Sequence, residues 1–243
     1  MRAGILHRDL SLNNIMYRIV REKNAGGVVE DKVYGVLMDF DLSSWTKDMK
    51  ENYSKTSQQR TGTPPFMAYE LLGESDVIHL YRHDLESLFY VMLILATHYE
   101  IQPPTEKEEG GLRMRQGLDE LPYKLWFGQP TYKALAHYKH GFFSDVGRLN
   151  LSPDFEDFRS WLMDLRRSFR RGIRAKETYQ DELEVLLENQ GDGFEDEATP
   201  EFEYETLGGH VHYSTLINPV RELQGKLRGL IIRYDPSLST STA

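Results

Sequence analysis

Residues 84–97 carry apolar side chains at nearly every position: Leu85, Leu88, Phe89, Tyr90, Val91, Met92, Leu93, Ile94, Leu95 and Ala96. A helix that is apolar on every face has to sit in the middle of a core, so the fold is expected to wrap round this element. Asp84 stands at its start as the expected N-cap. The longest apolar run, residues 88–96, is too short to span a bilayer. The first residues hold no apolar stretch long enough for a secretory signal. An intracellular location and no membrane partner are therefore expected. The 243 residues include no cysteine, which excludes disulfides, thiolate zinc sites and a cysteine nucleophile.

Several other stretches have helical spacing. Residues 130–140 read as a short helix, and residues 154–171 as a longer one through Phe155, Phe158, Leu162, Leu165 and Phe169. Leu183, Leu186 and Leu187 suggest a separate helix. Leu216, Val220, Leu223, Leu227 and Leu230 suggest a final amphipathic one, followed by a tail over 236–243. Two β-branched runs, 15–20 and 32–37, flank a turn-rich stretch over 21–31, the pattern of a hairpin with a long loop. Residues 42–63 and 103–122 read as loops, the second as a loop or insertion. The expected fold is thus mainly α with one small hairpin.

The formal charge is 29 − 38 = −9, which argues against a general nucleic-acid binder. That charge is local. Residues 177–205 hold twelve acidic and no basic side chains, and without them the balance is 29 − 26 = +3. The acidic stretch 190–209 is expected to be a mobile loop. Just before the block, Arg166, Arg167, Arg170, Arg171, Arg174 and Lys176 cluster. They are expected to face solvent or pair with the acidic residues, with phosphate binding as the sharper alternative. His137 and His140, and likewise His210 and His212, read as helix-face and loop residues, because neither pair has a third metal ligand in view.

Three short segments carry the chemistry. The first is His7-Arg8-Asp9-Leu10-Ser11-Leu12-Asn13-Asn14, the second Leu37-Met38-Asp39-Phe40-Asp41, the third Gly62-Thr63-Pro64-Pro65-Phe66-Met67-Ala68-Tyr69-Glu70 followed by Asp84-Leu85-Glu86-Ser87. Asp9 and Asn14 precede one strand of the hairpin and Asp39 follows the other, so the hairpin would bring all three to one point. Carboxylate and amide oxygens so placed suit a hard cation that keeps several waters, namely Mg²⁺. With a second carboxylate to orient a hydroxyl, such parts suffice for phosphoryl transfer. The bland reading of the same three residues is a solvated hairpin loop.

These segments resemble protein kinase signatures. His7-Arg8-Asp9-Leu10 with Asn14 is similar to the kinase catalytic loop, Asp39-Phe40-Asp41 stands where kinases have Asp-Phe-Gly, and Ala68-Tyr69-Glu70 stands for Ala-Pro-Glu. The chain most resembles the fungal-type protein kinase family, which favours a serine at the position of Ser11 and Asp-Phe-Asp over Asp-Phe-Gly. The likeness is strong over residues 1–100. Trp126, Lys139 and Phe142 are weakly compatible with it. The resemblance implies a protein kinase-like C-terminal lobe over residues 1–235, with an activation segment over 39–70. It implies ATP and Mg²⁺ as cofactors, a protein substrate, and Asp9 as the catalytic base. Asn14 and Asp39 would be the Mg²⁺ ligands and hold ATP through the metal. Arg8 would contact a phosphorylated activation segment, with Ser43, Ser44, Thr46, Ser54, Thr56, Ser57 and Thr61 as candidate phosphosites. His7 would pack on Phe40, Thr63 would bond Asp9, Asp84 would anchor the catalytic loop, and Glu70 would need an arginine that sequence does not single out.

The departures from the family pattern set further expectations. Ser11 replaces the lysine usual in serine/threonine kinases, while Thr63 favours serine/threonine over tyrosine as substrate. Six residues precede His7, so an N-terminal ATP-binding lobe with its Gly-rich loop, lysine and glutamate is expected to be absent. The chain alone is then expected to be inactive, to expose an apolar surface where that lobe would sit, and to need a partner that supplies or replaces it. A pseudokinase-like binding module is the alternative. A small-molecule phosphotransferase fits less well, because those families lack the segment over residues 62–70.

Overall fold

The computed structural model describes residues 4–23, 25–46, 62–73, 77–103, 105, 110–115, 121–129, 131–189 and 201–217. The hydrophobic residues over 84–97 do form the central helix, α2 (Tyr81–His98), and Phe89, Tyr90, Leu93, Ile94 and Ala96 on it are almost wholly excluded from water. Around it lie α1 (Tyr69–Gly73), α3 (Tyr132–Ser144) and α4 (Arg159–Asn189). Phe89 and Tyr90 meet Phe142 and Phe143 of α3, and Phe89 stacks on Phe169 of α4 at 5.8 Å between ring centroids. Trp126, from the short helical turn Lys124–Phe127, closes this aromatic centre against Tyr90 at 5.1 Å. Such rings bury much area each and add edge and stacking contacts, so the core is built chiefly from them.

Helix α4 joins what the sequence reads as two helices. Its buried stripe runs through Trp161, Leu162, Leu165, Arg166, Phe169, Ile173 and Lys176, and the later turns that carry Val185 and Leu187 are solvent-facing. Nothing breaks the hydrogen-bond ladder between the two apolar groups, so 31 residues stay helical. The basic cluster is also divided. Arg166 is buried and donates to the carbonyls of Phe142, Gly147 and Asp145, and Lys176 is buried too, whereas Arg171 and Arg174 face water.

Among the described residues, six strands form three separate antiparallel pairs. β2 (Ile15–Lys23) pairs with β3 (Val29–Leu37) in register from Ile15↔Leu37 to Lys23↔Val29. The expected long loop over 21–31 is therefore mostly strand. Its charges pair across the ladder, Arg21 with Asp31 at 3.2 Å and Lys32 with Glu22 at 2.8 Å, which lets polar residues extend the hairpin to a tight turn. β1 (Ile5–Leu6) pairs with β4 (Ser44–Trp45), and β5 (Tyr99–Gln102) with β6 (Gly111–Met114). The last pair places one strand, β6, inside the expected loop over 103–122, with β5 just before it.

Of residues 201–209, the end of the expected mobile acidic loop, most are exposed and Leu207 is the one that is buried. Leu207 is fully buried against α4, where a Cβ on Gly172 would come within 2.6 Å of the Leu207 Cβ. The acidic side chains help rather than hinder, since Glu203 accepts from the amides of Glu205 and Thr206 and so folds the turn on itself. Residues 190–200, the phosphosite candidates Ser54, Thr56, Ser57 and Thr61, and the expected final helix beyond Ile217 lie outside the described residues. Among the described residues, no helix is long and apolar enough to cross a membrane.

Candidate phosphoryl-transfer site

The first and second motifs meet at the base of the β2–β3 hairpin. Asn14 ends a helical turn over Leu12–Asn14 immediately before β2, and its carbonyl accepts the Met38 amide at 2.9 Å just after β3. Ladder closure therefore sets Asn14 beside the Met38–Asp39 peptide, as the hairpin reading expects. Asp9 lies on the loop between β1 and that turn. Its Oδ1 accepts both the amide and the hydroxyl of Thr63, at 2.8 and 2.9 Å. Asn14 Nδ2 donates to the Asp9 carbonyl at 2.8 Å and to its Oδ2 at 3.2 Å. The carboxylate is thus held from both sides, by a residue five positions on and one fifty-four positions on. Because Asn14 Nδ2 is committed to Asp9, its Oδ1 is the atom left to face a cation.

His7 ties the loop to the second motif. Its Nδ1 accepts the Asp9 amide at 3.3 Å, so its Nε2 carries the hydrogen and donates to the Met38 carbonyl at 2.8 Å. The His7 ring also lies 4.8 Å from that of Phe40. Two non-glycine residues here have left-handed backbones, Arg8 with φ 69° and Asp39 with φ 60°. That conformation is tolerated by aspartate but costs an arginine about 1–2 kcal/mol. What offsets it is Asp84, whose carboxylate accepts the His7 amide at 2.7 Å and the Arg8 amide at 3.1 Å.

Asp84 is not the N-cap of α2. Leu80 occupies that position, and His83 Nδ1 accepts the Leu80 amide at 3.0 Å in its place. Asp84 instead points from the first turn toward the loop, with His79 Nε2 2.9 Å from its Oδ1. Burial alone would raise its carboxyl. The His79 hydrogen bond and charge, with the two amides, hold it below the usual carboxylate range. Ser11 is buried at the start of the turn over 12–14, where its carbonyl accepts the Asn14 amide. Gly62, just before Thr63, has φ +120°, and a Cβ there would meet the Arg8 carbonyl at 3.1 Å, so glycine is what lets the third motif approach the first.

Glu70 meets two cations and a buried histidine. Arg82 and Lys176 donate to its two oxygens, and His83 Nε2 lies 2.9 Å away. Burial would raise this carboxyl, but the His83 bond and the charges of Arg82, His83 and Lys176 bring it far below its ordinary value. Burial pushes His83 itself down to about 3. Arg82 also donates to the Tyr204 carbonyl at 2.6 Å, which fastens the turn over 201–210 to the same node.

Sequence reasoning does not single out His79, Arg82, His83 or Glu86. The signal for the last three was present as the few polar positions within an otherwise apolar helix, which must be paired once buried. Lys176 carried no such signal, because its partner lies 106 residues away.

The fungal protein kinase family model matches residues 1–96. That stretch holds all three motifs, and the match agrees with the family they resemble. No curated protein and no solved structure matches the chain.

Proposed function

We propose that this chain is the C-terminal lobe of a protein kinase, extending over residues 1–235 with an activation segment over 39–70, and that it serves ATP-dependent phosphoryl transfer to a serine or threonine of a protein. The observation that carries the reading is the Asp9 carboxylate, oriented by Thr63 and Asn14 at the hairpin base that also places Asp39. In this reading Asp9 orients the substrate hydroxyl and receives its proton. Thr63 and Asn14 keep the carboxylate aimed, which matters because positioning supplies much of the rate in this chemistry.

The residues present fit Mg²⁺. Asp39 and the Asn14 Oδ1 are oxygen donors, and among the described residues no group of three His, Asp or Glu side chains would hold a metal alone. Two protein oxygens, completed by nucleotide phosphates and water, is the usual Mg²⁺ arrangement. Bound Mg²⁺ with ATP would neutralise charge on the phosphates. His7, Asp84 and Ser11 shape the catalytic loop, and Glu70 fixes the end of the activation segment. In the same reading Arg8 receives a phosphorylated residue of that segment.

Around this loop Ile5, Phe40, Leu42 and Trp45 are exposed, Trp45 by 56%. Such an apolar rim suits a second surface carrying a Gly-rich loop and a lysine, on this polypeptide or on a partner. The Mg-ATP requirement suits an intracellular setting.

The test is Mn²⁺ binding, read by water-proton relaxation with ATP present. Asp39→Asn is expected to weaken ATP-dependent Mn²⁺ binding by about tenfold or more, whereas Asp9→Ala is expected to retain binding and to lose phosphoryl transfer once the complementary lobe is supplied. ATP-dependent Mn²⁺ binding that ignores Asp39→Asn defeats the proposal. Transfer that survives Asp9→Ala would remove Asp9 from the reaction and defeat this assignment of the base.

A further inference from the structure

Beneath the segment over residues 63–69 lie two fully buried ionisable groups, Glu86 of α2 and Lys139 of α3. Lys139 Nζ donates to the Met67 carbonyl and lies 3.4 Å from that of Pro64. Its ammonium sits over the Tyr90 ring at 4.0 Å and the Trp126 ring at 5.3 Å, where the aromatic faces favour a cation. Glu86 Oε1 accepts the Tyr69 amide at 2.8 Å and the Tyr90 hydroxyl at 2.6 Å. Its Oε2 is buried with no hydrogen-bond partner among the described residues. A lone buried carboxylate oxygen is costly, and a fully buried lysine more so. For core packing alone, leucine and methionine would serve better at both positions.

The geometry points to Lys139 and Glu86 as a positioning pair. Lys139 acts through the carbonyls of Pro64 and Met67, and Glu86 through the Tyr69 amide. Together they hold from below the segment whose Thr63 aims the Asp9 carboxylate. This assignment rests on the reading of Asp9 as the group that orients a substrate hydroxyl. It gives residues 64–69 the part of a docking ledge for the peptide that carries that hydroxyl, with its height set by two buried groups that touch no substrate.

The pair is sensitive to protons. Burial raises the Glu86 carboxyl to about 7 against the opposing Tyr90 and Tyr69 bonds and the charges of Lys139 and Arg82. Burial lowers Lys139, opposed by Glu86. The other titratable groups acting on the pair are Arg82 and Tyr90 on α2 and Tyr69 on α1, and Tyr69 in turn is subject to Glu70 on α1 and Glu177 on α4 and touches His140 on α3. An ionised Glu86 accepts the Tyr69 amide more strongly than a neutral acid does. Burial disfavours that ionised form by more than its bonds recover, so the ledge loosens as pH rises from about 4.5 to about 7.

Backbone amide hydrogen exchange on the full chain tests this without using activity. Lys139→Met keeps a stem of similar length under Tyr90 and Trp126. It is expected to speed exchange at the Met67 and Tyr69 amides by about tenfold and to leave the amides over 159–177 within about twofold. Corrected for base catalysis, Tyr69 protection in the unaltered chain is expected to fall across about pH 4.5 to 7, and Glu86→Gln is expected to remove that step. Unchanged exchange at Met67 and Tyr69 in Lys139→Met overturns the proposal. So does the absence of a pH step, or a step that persists in Glu86→Gln. If Lys139→Met loses its helical circular dichroism, the unaltered chain and Glu86→Gln decide by the pH step alone. The Mn²⁺ titration is separate, so failure of the phosphoryl-transfer reading leaves the exchange result standing, and the converse holds.

Discussion

Arg21–Asp31 and Arg82–Glu70 are the same kind of ion pair in two different regions. The first spans the exposed β2–β3 hairpin at 3.2 Å with its arginine 59% exposed, and the second sits in the helical core with both partners nearly dry. In water the charges are screened and the long side chains lose entropy on pairing, so the exposed pair is worth little. In the core neither charge can be left alone, so the pair holds the end of the third motif to α2 and, through Lys176, to α4. The hairpin region presents the candidate site residues: Asn14 and Asp39 at its base and Asp9 beside it. The helical region holds the loop that carries Asp9 in place. Asp84, through the His7 and Arg8 amides, and Thr63, through the Asp9 carboxylate, join the two regions.

The largest expected effect lies at the buried joint. Glu70→Ala leaves Arg82, His83 and Lys176 facing one another without a carboxylate, and urea unfolding should show a loss of about 3–5 kcal/mol. Because the Glu70 pKa is depressed on folding, its contribution is present above the unfolded carboxylate value of about 4.5 and fades as pH falls below it. A Glu70→Ala chain that unfolds at the same urea concentration as the parent would erase the distinction between the two pairs. Next comes the close approach of α4 to the turn over 204–210. Gly172→Ala places a Cβ 2.6 Å from that of Leu207 and should cost about 1–3 kcal/mol by the same measurement.

Glu86 sharpens the contrast from the other direction. Its pKa is raised on folding, so its contribution is fully present below about pH 4.5 and is lost as pH rises to about 7. Glu86→Gln should therefore flatten the fall in thermal midpoint across that window, opposite in sign to the effect at Glu70. Smallest of all, Arg21→Ala should change stability by less than about 1 kcal/mol and, if measurable at all, less still at high salt. A larger loss would mean that the hairpin is held by its surface charges.

How much was legible follows the same division. The hairpin base could be read because its parts are close in sequence: β-branched runs, a turn between them, and Asp9 and Asn14 five residues apart. Its length could not, because charged residues at 21–23 and 30–32 read as turn until their partners across the ladder are known. The central helix was legible from composition, yet Asp84 was misplaced at its cap. A carboxylate near a helix start is an N-cap by default, and only the loop over 7–8, seventy-six or more residues away in sequence, draws it elsewhere. The single break expected within 154–189 came from spacing between two apolar groups, and a helix needs no apolar residue to continue through solvent-facing turns.

By itself the sequence determined the chemical inventory and the centre of the core. The apolar stretch over 85–96 has nowhere to go but inside, and the order of the three motifs places Asp9, Asn14 and Asp39 within reach of one hairpin. Only the tertiary structure decided what secures them: that Thr63 and not some other hydroxyl meets Asp9, that Asp84 takes the amides of a left-handed turn, that Glu70 is shared by Arg82 and Lys176, and that Lys139 and Glu86 lie under residues 64–69. Local pattern follows from the period of a helix or a strand, which neighbouring residues carry between them. The pairing of buried charges depends on which distant elements pack against each other, and that is settled only when the whole core closes and no water remains to solvate the alternatives.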